Sequence, residues 1–204
     1  AMLRKLRQTG LQMVELGIQT FAPDSLKFCN RGYGPEVAQR ACGMVRDAGL
    51  ELGMQLLPGA PGQSAADFRE DLRRTAALQP DLVRLYPCLV LDGTPLAQMW
   101  RKGRYEPWSL EQTAQRLAGA LTIFWNAGLK VGRLGVHHEP GLEEQVLAGP
   151  YHPSLGAMAR SAALFRLVAG EVRRFRQQAE RPPAWLMIPR RYQGEIRGHK
   201  GRWS

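Results

Sequence analysis

The sequence predicts an α/β fold: half of a TIM-type β/α barrel of parallel strands, followed by a C-terminal helical extension. Three observations lead there. Strand-like runs alternate with helix-length segments, and strands joined in that way run parallel through right-handed crossovers. The pentapeptide Glu15-Leu-Gly-Ile-Gln19 recurs as Glu51-Leu-Gly-Met-Gln55, an offset of 36 residues that matches one strand–helix unit. Only four barrel strands can be drawn, too few to close a barrel. A complete small α/β sheet is the plainer alternative.

The elements follow in order. Residues 3–8 have the periodicity of a helix end, stopped by Gly10. Residues 13–21 read as a strand. A helical turn after Phe21 would bring Arg31 back over the strand end that carries Gln19. Pro35 opens a helix that Gly49 closes. Residues 50–57 form the second strand, and PGAPGQ is its loop. Ser64 with Asp67 marks a helix N-terminus, and Pro80 stops that helix. Residues 81–91 read as the third strand. Ser109 and Gln112 form a capping box for a helix ending near Asn126 and Gly128. Residues 129–136 are the fourth strand. Pro153 or Ser154 starts a long helix toward Gln178, and residues 184–188 read as a last strand. The domain division is 1–140 for the barrel half and 141–204 for a basic extension of loop, long helix and short strand.

Within the repeat, the two-residue period sends Leu16, Ile18, Leu52 and Met54 toward the helices. Glu15, Gly17, Gln19, Glu51, Gly53 and Gln55 then face inward. A purely structural barrel fills its interior with branched apolar side chains, so a polar interior points to a ligand or to a wet interior. His137, by the parity of Arg133 and Gly135, faces the same mouth, and Tyr151 and His152 sit where they can cover it. Adjacent His137 and His138 point to opposite faces of a strand and do not share a metal, so no metal site is expected.

Composition narrows the function classes. Hydrophobic residues at 44% and charged residues at 23% exclude a wholly disordered chain. No apolar run reaches the roughly 18 residues of a membrane helix, and the first ten residues contain no signal-peptide core. Cys29, Cys42 and Cys88 are odd in number and widely spaced, which points to a reducing, cytoplasmic setting rather than a disulfide framework. The net charge is +10, and residues 139–204 hold half of it, with 11 Lys+Arg against 6 Asp+Glu. That tail suits RNA, an acidic cofactor or a partner, and a solvated helix face accounts for it equally well.

Several segments together resemble the later part of a radical S-adenosylmethionine enzyme. They are Gly17-Ile18-Gln19-Thr20-Phe21, Asn30-Arg31-Gly32, Pro58-Gly59-Ala60-Pro61-Gly62, Val83-Arg84-Leu85-Tyr86-Pro87 and Gly93-Thr94-Pro95-Leu96. The pattern is similar to oxygen-independent coproporphyrinogen III oxidase-like proteins and to the elongator catalytic-subunit family, which modifies tRNA wobble uridine. AGPYHPSLG at 148–156, Pro189-Arg190 and Arg197-Gly198-His199-Lys200 resemble the elongator-like branch. The resemblance implies that Gln19 and Gln55 lie near the cofactor ribose, Arg31 faces the methionyl carboxylate, and Leu89 accompanies adenine. Glu15, Glu51, Tyr86 and His137 are the substrate-side candidates.

One departure limits what the resemblance implies. The family's cluster motif, C-x3-C-x2-C, is absent, and so is the glycine-rich motif for the methionine amino group. The full-length parent is expected to use S-adenosylmethionine and a 4Fe–4S cluster, while this chain alone is expected to bind neither. The principal reading is therefore a fragment of a radical S-adenosylmethionine iron–sulfur oxidoreductase, coproporphyrinogen oxidase-like, truncated by nature or by cloning. The alternative is an RNA-binding module of an elongator-like tRNA-modifying protein. A third reading is a sugar-phosphate barrel with PGAPGQ on the phosphate. The substrate is a small molecule or tRNA, no membrane is involved, and the open edge of the half-barrel invites self-association.

Overall fold

The computed structural model describes residues 1–136, 139–178 and 187–198. Four strands form one parallel sheet: β1 (Met13–Gln19), β2 (Glu51–Leu56), β3 (Leu82–Leu85) and, on the far side of β3, a strand at Val131–Leu134. Between β3 and that last strand lies β4 (Val90–Leu91), so Val131–Leu134 is β5; β6 (Val146–Ala148) pairs antiparallel with β4 in a separate ribbon. The expected third strand, 81–91, is thus two strands. It breaks where Pro87 removes a backbone donor from the ladder, and the chain turns away from the sheet.

The helices of the described residues are α1 (Met2–Gln8), α2 (Pro23–Phe28), α3 (Pro35–Asp47), α4 (Ala65–Leu78), α5 (Pro95–Arg101), α6 (Leu110–Asn126), α7 (Leu142–Gln145), α8 (Leu155–Gln178) and α9 (Gln193–Arg197); the longer ones, α3, α4, α6 and α8, supply the core on one face of the sheet. Both expected capping boxes are formed: Ser64 and Asp67 exchange hydrogen bonds at the start of α4, as do Ser109 and Gln112 at α6. At α8, His152 Nδ1 accepts from the Ser154 amide at 3.0 Å, which fixes the turn into the helix. The short helices α2, α5, α7 and α9 lack the length for a clear period. The strand expected at 184–188 lies mainly outside the described residues.

The repeat's alternation decides which face is core. Leu52, Met54, Val83 and Leu85 are fully buried beneath the helices, and Ile18 and Leu134 join the same cluster. Glu15 and Glu51 are exposed on the opposite face, and Gln55 is half-buried there. That cluster also draws on Leu117, Leu121 and Phe124 of α6 and on Ala159 and Ala163 of α8. At roughly 1.5–3 kcal/mol per fully buried large side chain, this packing is what holds the sheet.

Each outer strand has one backbone acceptor taken by a side chain. Tyr33 Oη donates to the Gly17 carbonyl of β1 at 3.2 Å, and Arg160 of α8 donates to the Val131 carbonyl of β5 at 3.4 Å.

Candidate functional site

A cleft of about 470 Å³ opens at the carboxyl ends of β1 and β2, lined by Gln19, Phe28, Cys29, Arg31, Pro61 and Cys88 among others. This is the end of the strands at which α/β folds bind their ligands.

Gln19 is the last residue of β1 and is buried at 7% exposure, with φ of 67°. A non-glycine residue in the left-handed region costs about 1–3 kcal/mol and persists only where its surroundings enforce it. Here they do. The Gln19 carbonyl accepts from the Leu57 amide at 2.7 Å, and the side chain folds back over Gly17. A Cβ on Gly17 would stand 2.7 Å from Gln19 Nε2 and 4.0 Å from Gln55 Oε1. Glycine at 17 is therefore what leaves room for two glutamine amides to gather at the strand end.

Arg31 reaches the same cleft through the end of α2. Asn30, at φ of 52°, reverses the chain, a conformation that Asn tolerates better than most residues. The amides of Cys29 and Arg31 return to the carbonyls of Ser25 and Leu26, both at 2.9 Å. The exposed Arg31 side chain has no salt bridge among the described residues.

The third wall is the loop after β2. Gly59 and Gly62 both have positive φ, 80° and 73°. An aromatic ring closes on each: Cβ atoms there would sit 3.2 Å from Trp108 and 2.5 Å from Phe28. Trp108 is itself held by Phe68 edge-on at 5.5 Å and by the Arg116 guanidinium at 4.2 Å. Tyr105 Oη donates to the Gly59 carbonyl at 2.7 Å.

Beneath the cleft one carboxylate ties strand end to loop. Asp71 of α4, 1% exposed, accepts from Thr20 Oγ1 at 2.8 Å, from the Phe21 amide at 2.7 Å and from Gln63 Nε2 at 2.8 Å. Gln63 in turn accepts from the Gly59 amide at 2.7 Å. Burial pushes the Asp71 pKa up to about 6 against the three donors that pull it down. At neutral pH it is ionised. Sequence reading missed Asp71 and Gln63; an Asp on the helix stripe of Phe68, Leu72 and Thr75 was the available signal.

The other candidates divide. Gln55 stands across from Gly17 on β2 and does not line the cleft of Gln19 and Arg31. Glu15 pairs with Arg84 on the same face, Oε2 to Nη1 at 2.7 Å. Tyr86 is half-buried just past β3, its amide on the Leu56 carbonyl at 3.1 Å. Leu89 lines a separate small cavity with Pro87, Pro150, Tyr151 and His152, not the cleft of Gln19 and Arg31. His137 lies outside the described residues.

The cysteines do not suit a cluster. Cys29 and Cys88 face the cleft, whereas Cys42, on the buried face of α3, is 1% exposed in the core. Burial raises both cleft thiols, Cys88 to about 11, so they are neutral rather than ready thiolates. Among the described residues no three metal-ligating side chains converge. The cleft lining offers the Gln19 and Asn30 amides and the Arg31 guanidinium, groups that suit hydroxyl and carboxylate partners.

A parallel sheet of four strands whose ends carry this cleft defines a partial α/β barrel with a ligand-sized cleft. Two family models extend that to the sequence: the Radical SAM superfamily matches residues 1–75 and the Radical_SAM C-terminal domain matches residues 80–166. The chain belongs to the radical S-adenosylmethionine superfamily. It is 33% identical over 124 residues to a tRNA uridine(34) acetyltransferase of Methanocaldococcus jannaschii, covering 59% of this chain and 23% of the relative. It is 27% identical over 130 residues to the Homo sapiens Elongator complex protein 3, covering 61% of this chain and 24% of the relative. The structure of archaeal Methanocaldococcus infernus Elp3 with an N-terminal deletion matches at TM-score 0.69 and 26% identity, over 83% of this chain and 38% of that one. The chain spans about a quarter of the length of these curated relatives. No helix among the described residues is long and apolar enough to cross a membrane.

Proposed function

We propose that this chain is the cofactor-ribose and substrate side of an elongator-like radical S-adenosylmethionine barrel, acting in the modification of a tRNA uridine. The observation that carries the reading is the joint placement of Gln19 and Arg31 on one cleft at the strand ends. The names of the relatives support the tRNA-directed reading over the coproporphyrinogen oxidase-like one, which no relative reported above supports. S-adenosylmethionine supplies radical chemistry when bound to a cluster, and the cluster thiolates must come from residues outside this chain. This chain's part is to bind and orient. The Gln19 amide meets the ribose hydroxyls, and the Arg31 guanidinium grips the carboxylate with a fork an ammonium cannot form. Phe28 and Pro61 add apolar surface to the cleft wall. The basic residues of the 141–204 extension, Arg173 and Arg176 of α8 among them, suit the tRNA backbone.

The test is S-adenosylmethionine titration of the chain supplemented with a cluster-bearing half-barrel. Arg31→Ala should weaken binding roughly 10- to 150-fold, the equivalent of about 1.5–3 kcal/mol for a charge-assisted contact. Arg4→Ala, on α1, controls for net charge. Equal affinity of all three proteins would end the reading. For the RNA side, the logarithm of tRNA affinity should fall steeply with the logarithm of salt concentration.

A further inference from the structure

A second polar cluster occupies the sheet face turned from the core. Glu15 on β1 lies across Gly53 on β2, where a Cβ would stand 3.1 Å from Glu15 Cβ and Cγ, and so reaches Arg84 on β3. Register sets Gln55, Arg84 and Arg133 side by side on β2, β3 and β5. The residues that follow the two arginines, Leu85 and Leu134, are in the core at 0% and 8% exposure. Strand alternation therefore turns both guanidinium groups to the polar face. Adjacent strands are about 4.8 Å apart, and like charges directly opposite one another destabilise a sheet. One carboxylate, Glu15, balances Arg84; among the described residues Arg133 has no ion pair. A barrel that needed only packing would place branched apolar side chains in these positions.

We propose that Arg133 and Arg84 form an anion subsite on the barrel floor, which takes a phosphate or carboxylate of the substrate beside the Gln55 amide. Glu15 is the internal anion that holds Arg84 in place and competes with the ligand for it. The proposal rests on the reading of this face as the substrate side, and it adds the chemical class of the group bound there. Guanidinium forks suit either oxyanion, and the two sources are separated by experiment.

The chain is titrated with uridine monophosphate, uridine and malonate at constant ionic strength, with binding followed by calorimetry or by NMR of the arginine Nε signals. Wild type, R133Q, E15Q and the charge control R4Q are compared, with thermal unfolding as the check on folding. R133Q should weaken the anion about tenfold or more, by the loss of one charge-assisted contact. E15Q should tighten it several-fold, a gain that misfolding does not produce. R4Q, on α1, should leave it unchanged, because it removes one positive charge away from this face. Preference for uridine monophosphate assigns a phosphate site, and equal or stronger binding of malonate assigns a carboxylate site. The proposal is overturned if wild type binds neither anion saturably, if uridine binds as well as its monophosphate, or if R133Q and E15Q match wild type. An Arg31-dependent response to S-adenosylmethionine would survive any of those failures, so the two readings fail separately.

Discussion

Replacing Asp71 tests the joint between strand end and loop. Its carboxylate receives three hydrogen bonds at 2.7–2.8 Å in a site 1% exposed. Asp71→Leu keeps the volume but leaves the Phe21 amide and the Gln63 amide group without partners. Removing one side of a buried charged network costs about 3–5 kcal/mol, a large share of the roughly 5–15 kcal/mol that holds a domain together. With a urea slope of about 2–3 kcal/mol/M, the midpoint should drop by about 1–2 M. Asp71→Asn keeps an acceptor for Phe21 but turns a donor toward Gln63, and should cost about 1–3 kcal/mol at pH 7. The pH dependence has a definite sign. A carboxyl raised from 3.8 to about 6 by folding binds its proton more tightly in the folded state. Its contribution is therefore full below about pH 3.8 and is lost as pH rises through 6. At 1.36 kcal/mol per pH unit, the stability of wild type relative to Asp71→Asn should fall by about 3 kcal/mol across that window. Urea midpoints from pH 4 to 7.5 measure it. A difference that is flat or grows with pH would mean that the three donors outweigh burial, and the argument from desolvation would be wrong.

Three further outcomes are expected. Gly17→Ala should displace the Gln19 amide, which lies 2.7 Å from the new methyl position; because that amide is the free end of a side chain, stability should change by less than about 1 kcal/mol while S-adenosylmethionine binding weakens, and unchanged binding would remove Gln19 from the site. Trp108→Ala should destabilise the chain by about 2–4 kcal/mol, since it uncovers Gly59 and loses the Phe68 contact; a loss under 0.5 kcal/mol in urea unfolding would show that the loop holds itself. Anaerobic reconstitution of this chain alone with iron and sulfide should give no stable cluster absorbance and no 5′-deoxyadenosine, and turnover by the isolated chain would contradict the half-barrel reading.

What was legible in the sequence was whatever repeats or caps. The ELGxQ repeat gave strand parity correctly, because alternation is a local property of extended backbone. Ser64 and Ser109 announced their helices through side chains that reach only three residues. The third strand was read too long because apolar content at 81–91 is continuous while the hydrogen-bond ladder is not; Pro87 was the sign. Asp71, Tyr105 and the Glu15–Arg84 pair join residues far apart in sequence, and spacing does not encode such contacts. Leu89 was placed with the cofactor on resemblance, whereas the turn at Pro87 carries its side chain to the cavity under Tyr151 and His152.

The stoppers on the outer strands bear on how such a sheet behaves in a crowded solution. An arc of four parallel strands has two raw ends, and end-to-end addition of identical arcs has two outcomes: closure into a ring or an unending ribbon. Tyr33 and Arg160 each occupy one carbonyl along those ends. A newcomer must first displace a phenol or a guanidinium, each worth about as much as a single ordinary hydrogen bond, roughly 0.5–1.5 kcal/mol. A stray, short-lived encounter gains too little from one or two ladder bonds to make that exchange. A correctly curved strand that zips along the whole length gains several bonds at once and makes it easily. The two side chains thus act as a length filter, which rejects sticky neighbours and still admits a true continuation of the barrel.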